Sequence, residues 1–245
     1  MSVGKSPDLE LRSGIVEALV HECAINGFEV EKRGGDPDWL WFRRRPEGAP
    51  ASVQQLVSAY LASRRAGGFV IRGHAFLFSA AVGQFLEGIP AEARLDSPVV
   101  DPDSVNYVDH EGFDSLVQPK DLSLVFPIPV VHEVAEGVGK YLSTVNGPVS
   151  TWFSARETLD DLKTLAVTPH EPGVPESVLP NRFRGTVVLC LVERRPDDAA
   201  ALMDWYLSRD SLHFMDSLER ARAFELALRG YFREYTDLRG GHTIS

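Results

Sequence analysis

The chain has 245 residues, 44% of them hydrophobic and 24% charged, enough apolar material for a core that needs no metal or disulfide staple. A formal charge of −10 argues against a phosphate-binding surface, because nucleic-acid affinity rests on clustered Lys and Arg. Two distant cysteines, Cys23 and Cys190, argue against a disulfide framework, and the uncharged apolar stretch of residues 75–86 is too short to span a bilayer.

The N-terminal "MSVGKSPDLELRSG" carries no apolar core of the signal-peptide type. The expected setting is a reducing cytoplasm, with neither membrane nor nucleic acid among the partners. From residue 8 to 26 the pattern is an amphipathic helix: Leu11, Ile15, Leu19 and Cys23 recur every four residues, and Gly27 ends it. "FEVEKR" and "WLWFRRR" read as two strands joined by "GGDPD". Ser52 with Gln55 makes an S-x-x-Q capping box, predicting a helix that Gly67 and Gly68 close. "FVIR" is a third strand and "HAFLFSAAVGQFLEGI" a mostly buried helix.

Residues 92–121 hold no period. Eight acids (Glu92, Asp96, Asp101, Asp103, Asp109, Glu111, Asp114, Asp121) stand against Arg94 and Lys120, a local net of −6. The expected organisation is a helix, hairpin and helix half over 1–91, an acidic linker or functional loop over 92–120, and a helix-rich half over 121–245, the whole compatible with one continuous domain. In the last part "LSLVFPIP" reads as a strand, "VVHEVAEGVGKYL" as a helix and "PVSTWF" as a strand. Ser154 with Glu157 predicts a helix to about Val167. "TVVLCLV" fits strand or helix equally, since periodicity does not separate them. Pro196 suits the first turn of "DDAAALMDWYL". A long helix from Asp216 to about Tyr235 is expected, with Ala221, Phe224, Leu228, Tyr231, Phe232 and Tyr235 on its apolar stripe. The fold class is α+β: an N-terminal helix with a small antiparallel sheet, then a mainly helical half with one or two strands.

Three stretches carry candidate chemistry. "VVHEVAEGVGKYL" begins like the zinc-protease motif H-E-x-x-H, but Glu136 stands where the second histidine belongs, after His132 and Glu133. Glu136 and Lys140 are spaced as a surface ion pair, so a solvated polar face is the simpler reading. "WLWFRRR" joins aromatic rings to arginines, the composition of single-strand nucleic-acid readers and of protein-interface hot spots. In a chain this acidic it reads as a strand with one buried face. "VNYVDHEGFD" crowds Asp109, His110, Glu111 and Asp114 beside Tyr107 and Phe113 on an expected acidic loop. Adjacent residues of an extended segment point to opposite sides, so convergence of Asp109, His110 and Glu111 is not required. Both cysteines read as inert core thiols. The G-x-S-x-G elbow, the P-loop and the dinucleotide fingerprint are missing.

The resulting expectation is a non-enzymatic, cytoplasmic, acidic interaction protein without cofactor or metal. It would neutralise or escort a basic protein partner, in the manner of an immunity protein or a chaperone, and the sequence leaves its oligomeric state open. The contact residues expected are Asp101, Asp103, Tyr107, Asp109, Glu111, Phe113 and Asp114, because an acidic loop steers a basic partner. The rival reading is an enzyme with an acid/base or metal site at Asp109, His110, Glu111 and His132.

Overall fold

The computed structural model describes residues 7–31, 38–45, 50, 52–95, 107–117 and 124–240. The elements run α1 (Pro7–Ile25), β1 (Glu29–Glu31), β2 (Trp39–Arg44), β3 (Gln54–Ser63), β4 (Phe69–Phe78), α2 (Ala80–Gly88), β5 (Tyr107–Gly112), α3 (Phe113–Leu116), β6 (Phe126–Ile128) and α4 (Val134–Thr144). There follow α5 (Ser150–Ser154), α6 (Leu159–Val167), α7 (Pro180–Val192), α8 (Pro196–Leu207), α9 (Leu218–Tyr231) and α10 (Arg233–Leu238). This is an α+β chain with an N-terminal helix, an antiparallel sheet and a mostly helical C-terminal half. Its contacts form two compact units that interleave along the sequence. The first comprises Met1–Pro46, Gln54–Phe76 and His110–Ala155; the second comprises Glu47–Val53, Leu77–Asp109 and Arg156–Ser245.

The first unit contains most of the sheet, whose strand order is β1-β2-β3-β4-β5 with β6 also paired to β4. The antiparallel registers set Trp39 opposite Tyr60, Trp41 opposite Ser58 and Ile71 opposite Phe126. Helix α1 buries the stripe its period predicts: Leu11, Ile15, Leu19 and Cys23 are all at most 4% exposed. It ends as its glycine predicts. Gly27 adopts φ +77°, Gly27 N donates to Ala24 O, and Phe28 N donates to Cys23 O at 2.9 Å, the Schellman closure. Helix α4 packs on α1 and on β6. Gly137 permits the latter, because a Cβ there would overlap the Ile128 side chain. Buried Tyr141 donates to the Ser58 carbonyl at 2.9 Å and stands between Phe113 and Phe126.

The second unit is built around α7, which packs against α2, α6 and α8. Residues 182–191 are buried on every side, the signature of a central helix. This resolves "TVVLCLV" as helix.

Several local expectations give way to different partners. Residues 54–63 are a strand, not a capped helix. Ser52 hydrogen-bonds Glu193 within the second unit, and Gln55 accepts from Arg44 Nε at 3.0 Å, so neither supplies a helix cap. Strand β4 continues to Phe78, and only then does Ser79 cap α2 through Val82 N. "PVSTWF" is helical. A π-turn over Val145–Val149 absorbs Pro148, and Val145, Val149, Trp152 and Phe153 bury one helical face. The cap of α6 is Thr158 with Asp161, a full capping box four residues beyond the predicted Ser154. The long C-terminal helix breaks at Phe232, whose φ −105° and ψ 104° separate α9 from α10.

Candidate functional site

The segment expected as an acidic loop is strand β5 followed at once by the short helix α3. Tyr107, Asp109 and Phe113 are buried at 6%, 3% and 1% exposure; Glu111 and Asp114 are half-buried and His110 is exposed. Asp101 and Asp103 lie outside the described residues. The physical reason for the burial is Gly185 on α7. A Cβ there would come within 2.7 Å of the Val108 carbonyl oxygen, so glycine alone lets the helix approach the strand backbone. Two guanidinium groups meet Asp109 inside the second unit. Its Oδ2 accepts from Arg156 Nε at 2.8 Å and from Arg182 Nε at 2.7 Å. All three side chains are at most 8% exposed. Such a carboxylate is a structural counter-ion for Arg182 of α7 and for Arg156, which lies between α5 and α6.

His110 belongs to the first unit and has different company. Its ring stacks on Phe76 at 6.1 Å and 12°. Phe76 meets His74 at 6.0 Å and Trp41 at 5.3 Å; Trp39 meets His74 at 6.0 Å, Tyr60 at 5.0 Å and Trp41 at 5.5 Å. One face of the sheet thus carries a continuous aromatic ladder across β2, β3, β4 and β5. Register explains it: cross-strand partners share a face, and alternate residues of a strand return to it. Trp41 and Phe76 form its buried base, Trp39, Tyr60 and His74 are half-buried, and His110 is exposed. Glu31, cross-strand to Trp41, and the exposed pair Glu29–Arg43 at 3.5 Å edge the same face. The side chains of Asp109 and His110 therefore serve different neighbours in different units.

His132 is exposed in a single 3-10 turn ahead of α4, 3.9 Å from Glu133. Glu136 is bonded to Lys140 at 2.6 Å, and that hydrogen bond and charge lower its pKa. Among the described residues, no group of three or more His, Cys, Asp or Glu side chains has metal-holding geometry. No described helix is long and apolar enough to cross a membrane.

The second unit holds a polar centre that sequence reading missed. Arg184 donates through Nη2 to both oxygens of Asp216 at 2.8 Å and through Nη1 to the Ala93 carbonyl, while its guanidinium lies 4.6 Å from the Phe224 ring. Tyr206 donates to Asp216 at 3.0 Å. Burial lowers the pKa of Arg184, which the neighbouring Asp216 opposes, and burial raises that of Tyr206. The available signal was the pair of arginines in "NRFRGTVVLCLV", since charge inside an apolar run demands a buried partner.

No protein-family model, curated protein or solved structure matches the chain. Its functional reading therefore rests on the geometry above.

Proposed function

We propose that this chain is a non-enzymatic, cytoplasmic binding protein that captures a basic protein partner, and that the aromatic face of the first unit is its contact surface. The observation that carries this reading is the ladder from Trp39 to His110. Its outer members, Trp39, Tyr60, His74 and His110, reach solvent while its inner members anchor them. Tryptophan and tyrosine on a rigid strand offer large contact area at low entropic cost, the property of interface hot spots. A formal charge of −10 supplies the long-range field that selects and steers a basic partner. The acids that steer are exposed ones such as Asp8, Glu10, Glu17 and Glu29, in place of the buried Asp109.

The test is affinity capture from the native cell's lysate at low and moderate salt, with mass spectrometry of what is retained. The reading expects one basic protein held stoichiometrically by the wild type, released as salt rises, and not held by a Trp39→Ala/Tyr60→Ala variant. Retention that ignores both salt and the aromatic substitutions would overturn it.

A further inference from the structure

We infer that Phe214, in the second unit, is a preformed anchor that inserts into an apolar, basic-rimmed pocket of a protein partner; that the partner is basic rests on the reading above. Phe214 is 83% exposed, against 67% for Ile25 and 59% for Leu226. It lies in the connection between α8 and α9, and both flanks of that connection are fixed. Asp216 N donates to His213 O at 2.8 Å, closing a four-residue turn with Phe214 at its second position. Met215 N donates to His213 Nδ1 at 3.3 Å. The Asp216 carboxylate is clamped by Arg184 and Tyr206, and Ser217 caps α9 by accepting from Arg220 N at 3.1 Å. On the α8 side, Arg209 donates to the Pro175 carbonyl and lies 4.7 Å from the Trp205 ring.

An unconstrained turn would let this ring fold down onto apolar surface. Here the buried Arg184–Asp216 clasp holds the backbone, and the ring leans on His213 at 4.2 Å. A turn already held in place loses little backbone freedom on docking, so burial of the ring it presents converts efficiently into affinity. Aromatic residues seated in desolvated pockets are the recurring interface hot spots. The surroundings define the pocket's chemistry. Exposed Asp210 lies earlier in the same connection, and Glu171 and Glu176 lie on the 169–177 segment, which His170 N→Ser177 O closes and Arg209 ties to α8. Glu171 and His170 act electrostatically on His213, whose pKa burial lowers. Arg209 is engaged by the Pro175 carbonyl. Glu171, whose charge acts on the His213 ring that Phe214 leans on, complements an apolar pocket edged by Lys and Arg.

The test replaces Phe214 in the full chain with the photoreactive analogue p-benzoylphenylalanine, expressed in the native cell, irradiated and mapped by mass spectrometry. The expected product is a cross-link to one protein, at an apolar peptide flanked by Lys or Arg. Wild-type chain should compete the cross-link away, and a Phe214→Ser variant of unchanged Tm should compete about tenfold less well or worse. Scattered cross-links, a cross-link to a second copy of this chain or to an acidic peptide, or full competition by Phe214→Ser would overturn the inference. A Trp39→Ala/Tyr60→Ala competitor separates the two surfaces. If it fails while Phe214→Ser competes fully, the aromatic face stands and the anchor falls. If it competes fully while Phe214→Ser fails, the anchor stands and the aromatic-face reading falls.

Discussion

Arg184 and Asp216 are joined at 2.8 Å with neither side chain more than 2% exposed, and this pair connects the central helix α7 to the cap of α9. Removing one partner of such a pair leaves a charge in the interior. Arg184→Ala and Asp216→Ala are each expected to cost about 3–5 kcal/mol, read from urea unfolding. The double replacement Arg184→Met/Asp216→Leu is expected to recover most of that loss, since apolar side chains of similar size leave no charge behind. Single variants as stable as the wild type would show that the pair does not hold the second unit together.

Two glycines on different helices, Gly185 of α7 and Gly139 of α4, should respond oppositely to alanine. A methyl at Gly185 would meet the Val108 carbonyl oxygen at 2.7 Å and its Cα at 2.8 Å, both backbone atoms that cannot rotate away. Gly185→Ala is expected to destabilise by about 1–3 kcal/mol or more through overpacking. At Gly139, exposed on α4 with nothing within 4 Å of the added methyl, alanine is expected to stabilise by up to about 1 kcal/mol. That contrast carries to Gly137 on the same helix, which overlaps Ile128 and should behave like Gly185. Thermal unfolding of the three variants checks the order.

The two thiols set an alkaline limit. Burial pushes Cys23 and Cys190 up from the ordinary 9.0 to about 12. An unfolded thiol ionises near 9.0, while the folded one keeps its proton to about 12. Their contribution to stability is therefore complete below pH 9 and is lost as the pH rises from 9 to 12. Burial raises Tyr141 and Tyr206 in the same direction. Urea midpoints are expected to fall across that interval, and at neutral pH a thiol-specific disulfide reagent should react no faster than the protein unfolds. An immediate reaction would place a thiol at the surface.

His110→Ala is expected to leave stability within about 0.5 kcal/mol of wild type, because the imidazole is exposed and surface substitutions act weakly on folding. Asp109→Ala is expected to cost about 3–5 kcal/mol, since it strands Arg156 and Arg182 in the interior. Neighbours in sequence thus separate by several kcal/mol. Equal effects in chemical unfolding would contradict the alternation of β5.

What was legible in the sequence was local and periodic. Helix α1 follows from Leu11, Ile15, Leu19 and Cys23 with Gly27 behind them, and α8 from Pro196 ahead of an apolar run. What was illegible depended on partners distant in sequence. Ser52 and Gln55 satisfy a helix-cap pattern, yet Glu193 and Arg44 claim them. Pro148 opens "PVSTWF", which reads as a strand, yet a π-turn accommodates it within a helical run. The acidity and aromatic content of residues 105–114 were plain, but not that Gly185 would admit α7 against β5 and bury Asp109 between two arginines. The ladder from Trp39 to His110 exists only once four strands are in register, which no single window of sequence contains.

The central claim, that the aromatic face binds a basic protein, is tested most directly by the affinity of the captured partner for wild type and for Trp39→Ala/Tyr60→Ala, measured side by side as salt is raised. The account predicts that the variant, folded with a near-native Tm, binds at least about tenfold more weakly, and that wild-type association slows with salt. Equal affinity for the two proteins, or association indifferent to salt, would contradict it.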